Sequence, residues 1–237
     1  MVRENSESIA AGISPAQNNT EAFSGKTGVY ANARPGYPNA VMDYITSLIP
    51  DNSVFADIGA GTGKFSALIA QRGYSLFAVE PNKEMRDLLA VTLAPFQNAK
   101  IVVGTAEAST LPEHCVDVIT CAQALHWFDR DAFRAECRRI GKPGAMVFVV
   151  YNGSDFPKGK TSAEAFFKNL AIQEFDNPQY YTRERWLQYM SSHAGDPLPS
   201  ALGYDEHISK MNAVFDRESE NGLLFRAAMT QVYHEVL

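Results

Sequence analysis

The sequence predicts an α/β protein, a Rossmann-like, doubly wound and mostly parallel sheet with helices on both faces. Three observations carry that prediction. Between residues 53 and 151, short β-rich apolar runs alternate with longer helical stretches. Glycines cluster directly after the first apolar run, at Gly59, Gly61 and Gly63. Residues that start and stop helices fall at the ends of the longer stretches. A chain of 237 residues, 46% hydrophobic, is long enough for one large α/β domain with an embellishment and short for two.

Residues 1–22 are polar and mixed in charge, without the apolar core of a secretory signal, and read as a disordered lead-in. The remainder, 23–237, reads as one domain. Within it, 23–50 form an N-terminal arm and helix, 51–151 the core, 152–203 a helical cap after the fifth strand, and 204–237 a C-terminal helix and edge strands. Strands are expected at 54–58, 76–80, 101–103, 116–121 and 145–151, each bounded by turn residues. Helices are expected at 38–48, at 64–71 closed by Gly73, at 83–94 opened by Asn82, and at 131–140 opened by Asp129 and stopped by Gly141 and Pro143. The texture then changes. Phe156, Pro157, Lys158 and Gly159 make a break, and Thr161 with Glu164 has capping-box spacing ahead of Phe166, Phe167 and Leu170. A second cap helix is expected at 183–190 and a Gly/Pro-rich turn at 195–203. Asn221-Gly222 is a turn signal before 223–237, which are expected to return to the sheet as edge strands open to a second subunit.

Composition removes several function classes. The 21 basic and 27 acidic residues leave a formal charge of −6, and no Lys/Arg stripe could neutralise a phosphate backbone, so nucleic acid is not expected as a partner. The longest apolar stretch, 145–151, falls far short of the roughly 20 residues of a membrane span. Cys115, Cys121 and Cys137 are odd in number and lack Cys-x-x-Cys spacing, which argues against a disulfide framework and a structural zinc site and suits a cytoplasmic setting. His114, His193, His207 and His234 have no acid or cysteine at ligand spacing, so no metal is expected.

What remains is the chemistry of loops at strand ends. A glycine triplet between a strand and a helix lets backbone approach a ligand and aims helix N-terminal amides into the crevice. The dinucleotide fingerprint wants a third Gly or Ala at its sixth position. Here Lys64 stands there and the third glycine is displaced to Gly63, which moves weight from a nicotinamide cofactor toward adenosylmethionine. Glu80, at the end of the second strand, is placed to accept hydrogen bonds from ribose hydroxyls or, alternatively, to cap the helix after Asn82. Asp57, just before the glycines, suits either an ammonium group or the ordering of the loop through its amides.

The run Val54-Phe55-Ala56-Asp57-Ile58-Gly59-Ala60-Gly61-Thr62-Gly63 resembles the first motif of class I S-adenosylmethionine-dependent methyltransferases. Ala78-Val79-Glu80-Pro81 is similar to the acidic motif that follows it, Gly104-Thr105-Ala106-Glu107 to the next loop, and Gln123-Ala124-Leu125-His126-Trp127-Phe128 to a small-molecule subgroup with His-Trp-Phe after the fourth strand. The resemblance covers the chain from about residue 30 onward. It implies S-adenosyl-L-methionine as cofactor, S-adenosyl-L-homocysteine as product, a small-molecule acceptor, and a monomer or homodimer. Carried over by position, it implies cofactor contacts from Tyr30, Arg34, Asp57, Gly59, Ala60, Gly61, Gly63, Glu80, Pro81, Thr105, Ala106, Glu107, Ala122 and Gln123, with Tyr30 and Arg34 at the methionine carboxylate. Thr105 departs from the Asp of many relatives, which implies an adenine contact that is either weaker or passed to Glu107. Tyr37, His126 and Trp127 are the candidate acceptor contacts. His126 is the candidate general base, or alternatively holds its loop by a hydrogen bond. Trp127 and Phe128 also have a plain packing reading. Direct transfer from a sulfonium needs alignment more than a catalytic motif. The rival readings are an NAD(P)-dependent oxidoreductase, an aminopropyl transferase, and a non-catalytic module that binds an adenosyl ligand.

Overall fold

The apolar runs become strands because both faces of each are covered, and their alternation shows it. In the computed structural model, which describes residues 34–153, 162–192, 196–197 and 199–237, the strands are β1 (Val54–Ile58), β2 (Ser75–Val79), β3 (Ala99–Val102), β4 (Val116–Ala122) and β5 (Gly141–Gly153). They pair in parallel in the order β3-β2-β1-β4-β5. Along β1, Phe55 joins one hydrophobic cluster while Ala56 and Ile58 join the other. In the same way Val118 and Ile119 of β4, and Phe148 and Val149 of β5, point to opposite clusters.

The helices α1 (Asn39–Ser47), α2 (Lys64–Gln71) and α3 (Lys83–Leu93) cover one face through Val41, Met42, Phe65, Ile69 and Leu89. The other face is covered by α4 (Arg130–Ile140) through Phe133, Cys137 and Ile140, and by the short α5 (Ser162–Phe166) through Ala163 and Phe166. The capping residues read from the sequence act as such. Asn82 Oδ1 accepts from the Met85 amide at 3.0 Å, and Asp129 Oδ1 accepts from the amides of Asp131 and Ala132, each at 3.0 Å. All three cysteines are free thiols, and among the described residues no helix is long and apolar enough to cross a membrane.

The second half of the chain corrects the sequence reading in three places. The segment expected to be a helical cap contains α5 and α6 (Arg183–Met190) but also β6 (Ala171–Asp176) and β7 (Gln179–Tyr181). After α7 (Tyr204–Glu218) come β8 (Leu224–Arg226), which pairs with β7 in a separate ribbon, and β9 (Met229–Val236). Expected at an edge, β9 instead lies antiparallel between β5 and β6, so β6 is the edge strand and β9 offers none to a second subunit. Finally, β5 starts at Gly141 rather than at 145, with a register shift opposite Val116 and Val118. The common cause is non-local. Ala171–Asp176 is mostly exposed, so its face pattern is weak, and only the free edge of β9 makes it a strand. Asn221 and Gly222, at φ 50° and 76°, form the expected tight turn, here leading from α7 into β8. Tyr181, Trp186, Phe215 and Leu224 give the α6–α7–ribbon unit its own small core. Thr161, the first half of the expected capping box, and the lead-in lie outside the described residues.

Candidate functional site

In the parallel part of the sheet the strand order reverses at β1, whose neighbours are β2 and β4, and it is at such a reversal, beyond the strand ends, that open α/β sheets have their ligand crevice. The glycine loop fills its floor. The amides of Gly59 and Ala60 donate to the Val79 carbonyl at 2.9 and 3.0 Å, tying the loop to the end of β2. The Gly61 amide donates to Glu80 Oε2 at 2.8 Å, and the Asn82 amide to Oε1 of the same carboxylate at 2.9 Å. The reading of Glu80 as a brace for the start of the next helix is the observed one. The carboxylate braces the start of α3 and the glycine loop at once, and it stands at the crevice edge. Burial pushes its pKa up, while the two amides and Arg86 pull it back.

Gly61 has φ +58°, a conformation side chains rarely adopt, and a Cβ built there meets nothing within 4 Å. The loop thus presents an open backbone surface at this point. Behind it stands Phe128, whose Cζ would come within 3.0 Å of a Cβ at Gly59 and whose ring packs edge-on against Phe133 at 5.0 Å. The packing reading of Phe128 is therefore the observed one.

Asp57 is buried and accepts from Ser66 Oγ at 2.5 Å and Thr120 Oγ1 at 2.8 Å. It does not order the glycine loop through amides, as one sequence reading had it. Glu80 does that, because Asp57 is the last inward residue of β1 on the α2 face and meets hydroxyls from α2 and β4 instead. Burial pushes its pKa up to about 6 against the pull of the two hydroxyls, and the nearby Glu80 adds to the rise.

Across the crevice, Thr105 and Ala108 close a tight turn. The Thr105 amide donates to the Ala108 carbonyl at 3.1 Å, and the Ala108 amide donates to Thr105 Oγ1 at 3.2 Å. Ala106 is buried beside this turn. Glu107, expected to turn its side chain to an adenine edge, accepts from the Asp129 amide at 3.0 Å through Oε1, because the start of α4 brings an orphan donor within reach. Ala122 ends β4, and Gln123, at φ 57°, leaves the strand with its amide on the Val150 carbonyl at 2.9 Å and Nε2 on the Asn152 carbonyl at 3.0 Å.

His126 sits in the single turn Leu125–Trp127 after β4. Its ring lies 5.0 Å from that of Trp127 and 6.2 Å from that of Tyr151. Among the described residues it makes no hydrogen bond, so the reading in which it holds its loop is not the observed one. The surrounding protein and the Arg34 guanidinium hold its pKa well below the usual histidine value, so the imidazole is neutral at pH 7.

Arg34, where the described part of the arm begins, has Nη2 3.5 Å from the Ser192 carbonyl and its guanidinium 5.7 Å from the centre of the Tyr189 ring, beside and on α6. Tyr37, an expected acceptor contact, is half-buried and packs its ring edge-on against Phe65 of α2 at 5.0 Å. Tyr30 lies outside the described residues. The sequence reading missed Lys64, Ser66 and Thr120. Lys64 was in view as the residue that breaks the dinucleotide fingerprint. Ser66 and Thr120 carry no signal until β1, β4 and α2 are assembled.

Comparison with known proteins agrees with this geometry. Residues 56–149 match the family model of a methyltransferase domain. A methyltransferase-like protein of Schizosaccharomyces pombe, itself uncharacterised, is 37% identical over 129 residues, which is 53% of this chain and 49% of that protein. An uncharacterised methyltransferase of Mycobacterium bovis is 34% identical over 134 residues, 56% of this chain and 53% of that one. The chain spans about half the length of these curated relatives. Among solved structures, a protein of Anaeromyxobacter dehalogenans assigned as a type II methyltransferase superposes with a TM-score of 0.62 over 86% of this chain and 96% of its own, at 21% identity, a likeness of fold.

Proposed function

Because residues 56–149 match the family model of a methyltransferase domain, we propose that the protein is a class I, S-adenosylmethionine-dependent methyltransferase that binds S-adenosyl-L-methionine in the crevice beyond β1 and β4 and directs its methyl group to a small-molecule acceptor. The observation that carries the reading is the Glu80 carboxylate, pinned at the crevice edge by the Gly61 and Asn82 amides beside an open stretch of glycine backbone. A fixed acceptor of hydrogen bonds next to unobstructed backbone fits an adenosine ribose and the chain that follows it. Lys64, in place of the third fingerprint glycine, leaves less room for a pyrophosphate and weighs against a nicotinamide cofactor.

When bound, the cofactor supplies a methyl group activated on a sulfonium. The chain's own residues then bind, orient and exclude water. In this reading Gly59, Ala60, Gly61 and Gly63 hold the methionine portion, Asp57 supports its ammonium side, and Arg34, with Tyr30 beyond it, receives its carboxylate. Glu80 and Pro81 hold the ribose. Thr105, Ala106 and Glu107 take the adenine edge, the last through the carboxylate oxygen not given to Asp129. Ala122 and Gln123 line the approach from β4. His126 and Trp127 face the acceptor, and the neutral imidazole of His126 accepts a proton where the acceptor atom carries one. A monomer or homodimer in the cytoplasm completes the proposal.

The test is turnover. Purified protein, cofactor labelled in its methyl group, and pools of small metabolites should yield S-adenosylhomocysteine and a labelled product in equal amounts. Cofactor binding without transfer to any pool would favour the non-catalytic module.

A further inference from the structure

Side-chain donors from three separate elements hold the backbone of the arm on either side of Pro35. Lys64, at the start of α2, donates to the Arg34 carbonyl oxygen. Asn152 Nδ2, at the end of β5, and Asn177 Nδ2, in the turn between β6 and β7, both donate to the Gly36 carbonyl oxygen, each at 3.1 Å. A carbonyl only accepts, so both amides turn their nitrogen to the arm. The rest of the network agrees with that orientation. Asn152 Oδ1 accepts from the buried Thr230 hydroxyl of β9 at 2.6 Å and from Asn177 Nδ2 at 3.3 Å. Thr230 Oγ1 accepts in turn from Asn177 Nδ2 at 3.1 Å. Asn177 is itself held by Gln179 Nε2, which donates to its backbone carbonyl and to its Oδ1, each at 2.8 Å.

Gly36 is exposed, so water can satisfy its carbonyl. Two amides from different elements therefore do more for the position of the chain than for the solvation of that oxygen. The segment between the two held carbonyls is also stiff, because Pro35 fixes its own φ and keeps Arg34 before it to extended backbone. What the arrangement determines is the direction in which the Arg34 side chain leaves the arm. Its guanidinium lies against Ser192 and Tyr189. Tyr189 belongs to α6, which follows the β7 strand that opens with Gln179.

We infer that Asn152 and Asn177 are positioning residues, which hold the Gly36 carbonyl so that Arg34 meets the carboxylate at the methionine end of the cofactor. The inference rests on the reading of the crevice as an S-adenosylmethionine site. Asn152 serves that site from a second side. Its backbone carbonyl accepts from Gln123 Nε2 at 3.0 Å, so one residue ties the arm to the end of β4 that lines the approach to the cofactor.

Calorimetric titration of the full-length protein with S-adenosylhomocysteine, and with methylthioadenosine, which has no amino-acid end, tests this without turnover. Asn152→Asp keeps the oxygen that accepts from Thr230 and Asn177 but turns a second acceptor, in place of a donor, toward Gly36. It should weaken S-adenosylhomocysteine about tenfold and methylthioadenosine less than about twofold. In an Arg34→Ala background, where no guanidinium is left to present, the same substitution should cost S-adenosylhomocysteine less than about twofold. Equal loss for the two ligands overturns the inference, since Asn152 would then serve the pocket or the fold as a whole. Equal loss with and without Arg34 overturns it as well, and so does unchanged affinity for both ligands. Where methylthioadenosine binds too weakly to titrate, the Arg34 comparison decides alone. Should Asn152→Asp fail to fold, Asn177→Asp removes the other donor to Gly36, keeps the acceptor for Gln179, and runs the same comparison. Failure of S-adenosylhomocysteine to bind the unaltered protein is a separate result, which removes the cofactor reading underneath.

Discussion

Replacing Asp57 by Asn should stabilise the free protein while weakening cofactor binding. Asp57 is 1% exposed, and its carboxyl is pushed from 3.8 to about 6 in the folded state. Between those values the folded protein holds a proton that the unfolded chain has released, so stability falls as pH rises through this window. A difference of about two pH units is worth roughly 3 kcal/mol by linkage, fully lost above about pH 7. Asn has the same shape and, like protonated Asp, carries no charge. It can still accept from one hydroxyl, and the other can rotate to receive its amide. Asp57→Asn should therefore match the parent near pH 4 and exceed it at pH 7.5 by up to about 3 kcal/mol, a rise in Tm of up to about 10 °C for a chain of this size. Urea unfolding of both proteins at the two pH values isolates the effect, because every other titrating group cancels in the difference. Calorimetry with S-adenosylhomocysteine should show affinity lowered at least about tenfold, the exchange of stability for function expected of a site residue. A gap between the two proteins that does not change with pH would refute the placement of a strained charge at Asp57.

Two glycines of the loop should separate stability from binding. Gly63→Ala, at φ +88° and with a Cβ only 2.6 Å from Leu89 Cδ1, should cost about 2–4 kcal/mol in urea unfolding. Gly61→Ala, free of clashes, should cost about 1–2 kcal/mol from its backbone conformation alone while lowering cofactor affinity more sharply. Glu235→Ala strips the partner from Arg134 and the acceptor from the Lys168 and Asn169 amides, and should destabilise by about 3–5 kcal/mol. Burial raises the Glu235 pKa, but those amides and Arg134 more than offset it. Its contribution is therefore present above the unfolded carboxyl value and fades as pH falls through the lower folded one. Because the His126 imidazole is held neutral, the rate of methyl transfer should show no rising limb near pH 6.5, and a limb there would contradict its placement.

The parallel core was legible because each of its elements announces itself locally. Residues 54–58 and 64–71 were placed at their observed bounds by an apolar run, a glycine triplet and an amphipathic period, and Asn82 and Asp129 by capping chemistry. The antiparallel extension was not, since β6 is exposed along most of its length and exists only where β9 offers an edge, a pairing that spans more than fifty residues of chain. At the site, Glu80 could be read from its distance to the glycines. The hydroxyls that hold Asp57 come from separate elements, and the Lys64 ammonium meets the Arg34 carbonyl only once the arm lies against α2. Contacts of that kind leave no periodicity in the sequence.

The most direct test of the central claim is thermal unfolding with excess S-adenosylmethionine, S-adenosylhomocysteine, NAD and NADP in parallel, on the parent protein and on Glu80→Gln. Ligand at about 100 times its Kd adds roughly 2.7 kcal/mol, or about 5–10 °C at this chain length. The account requires that the two adenosyl ligands raise the parent Tm by this amount, that the nicotinamide cofactors do not, and that Glu80→Gln loses most of the rise. Stabilisation by NAD or NADP, with none from the adenosyl pair, would contradict it and make the crevice that of an oxidoreductase.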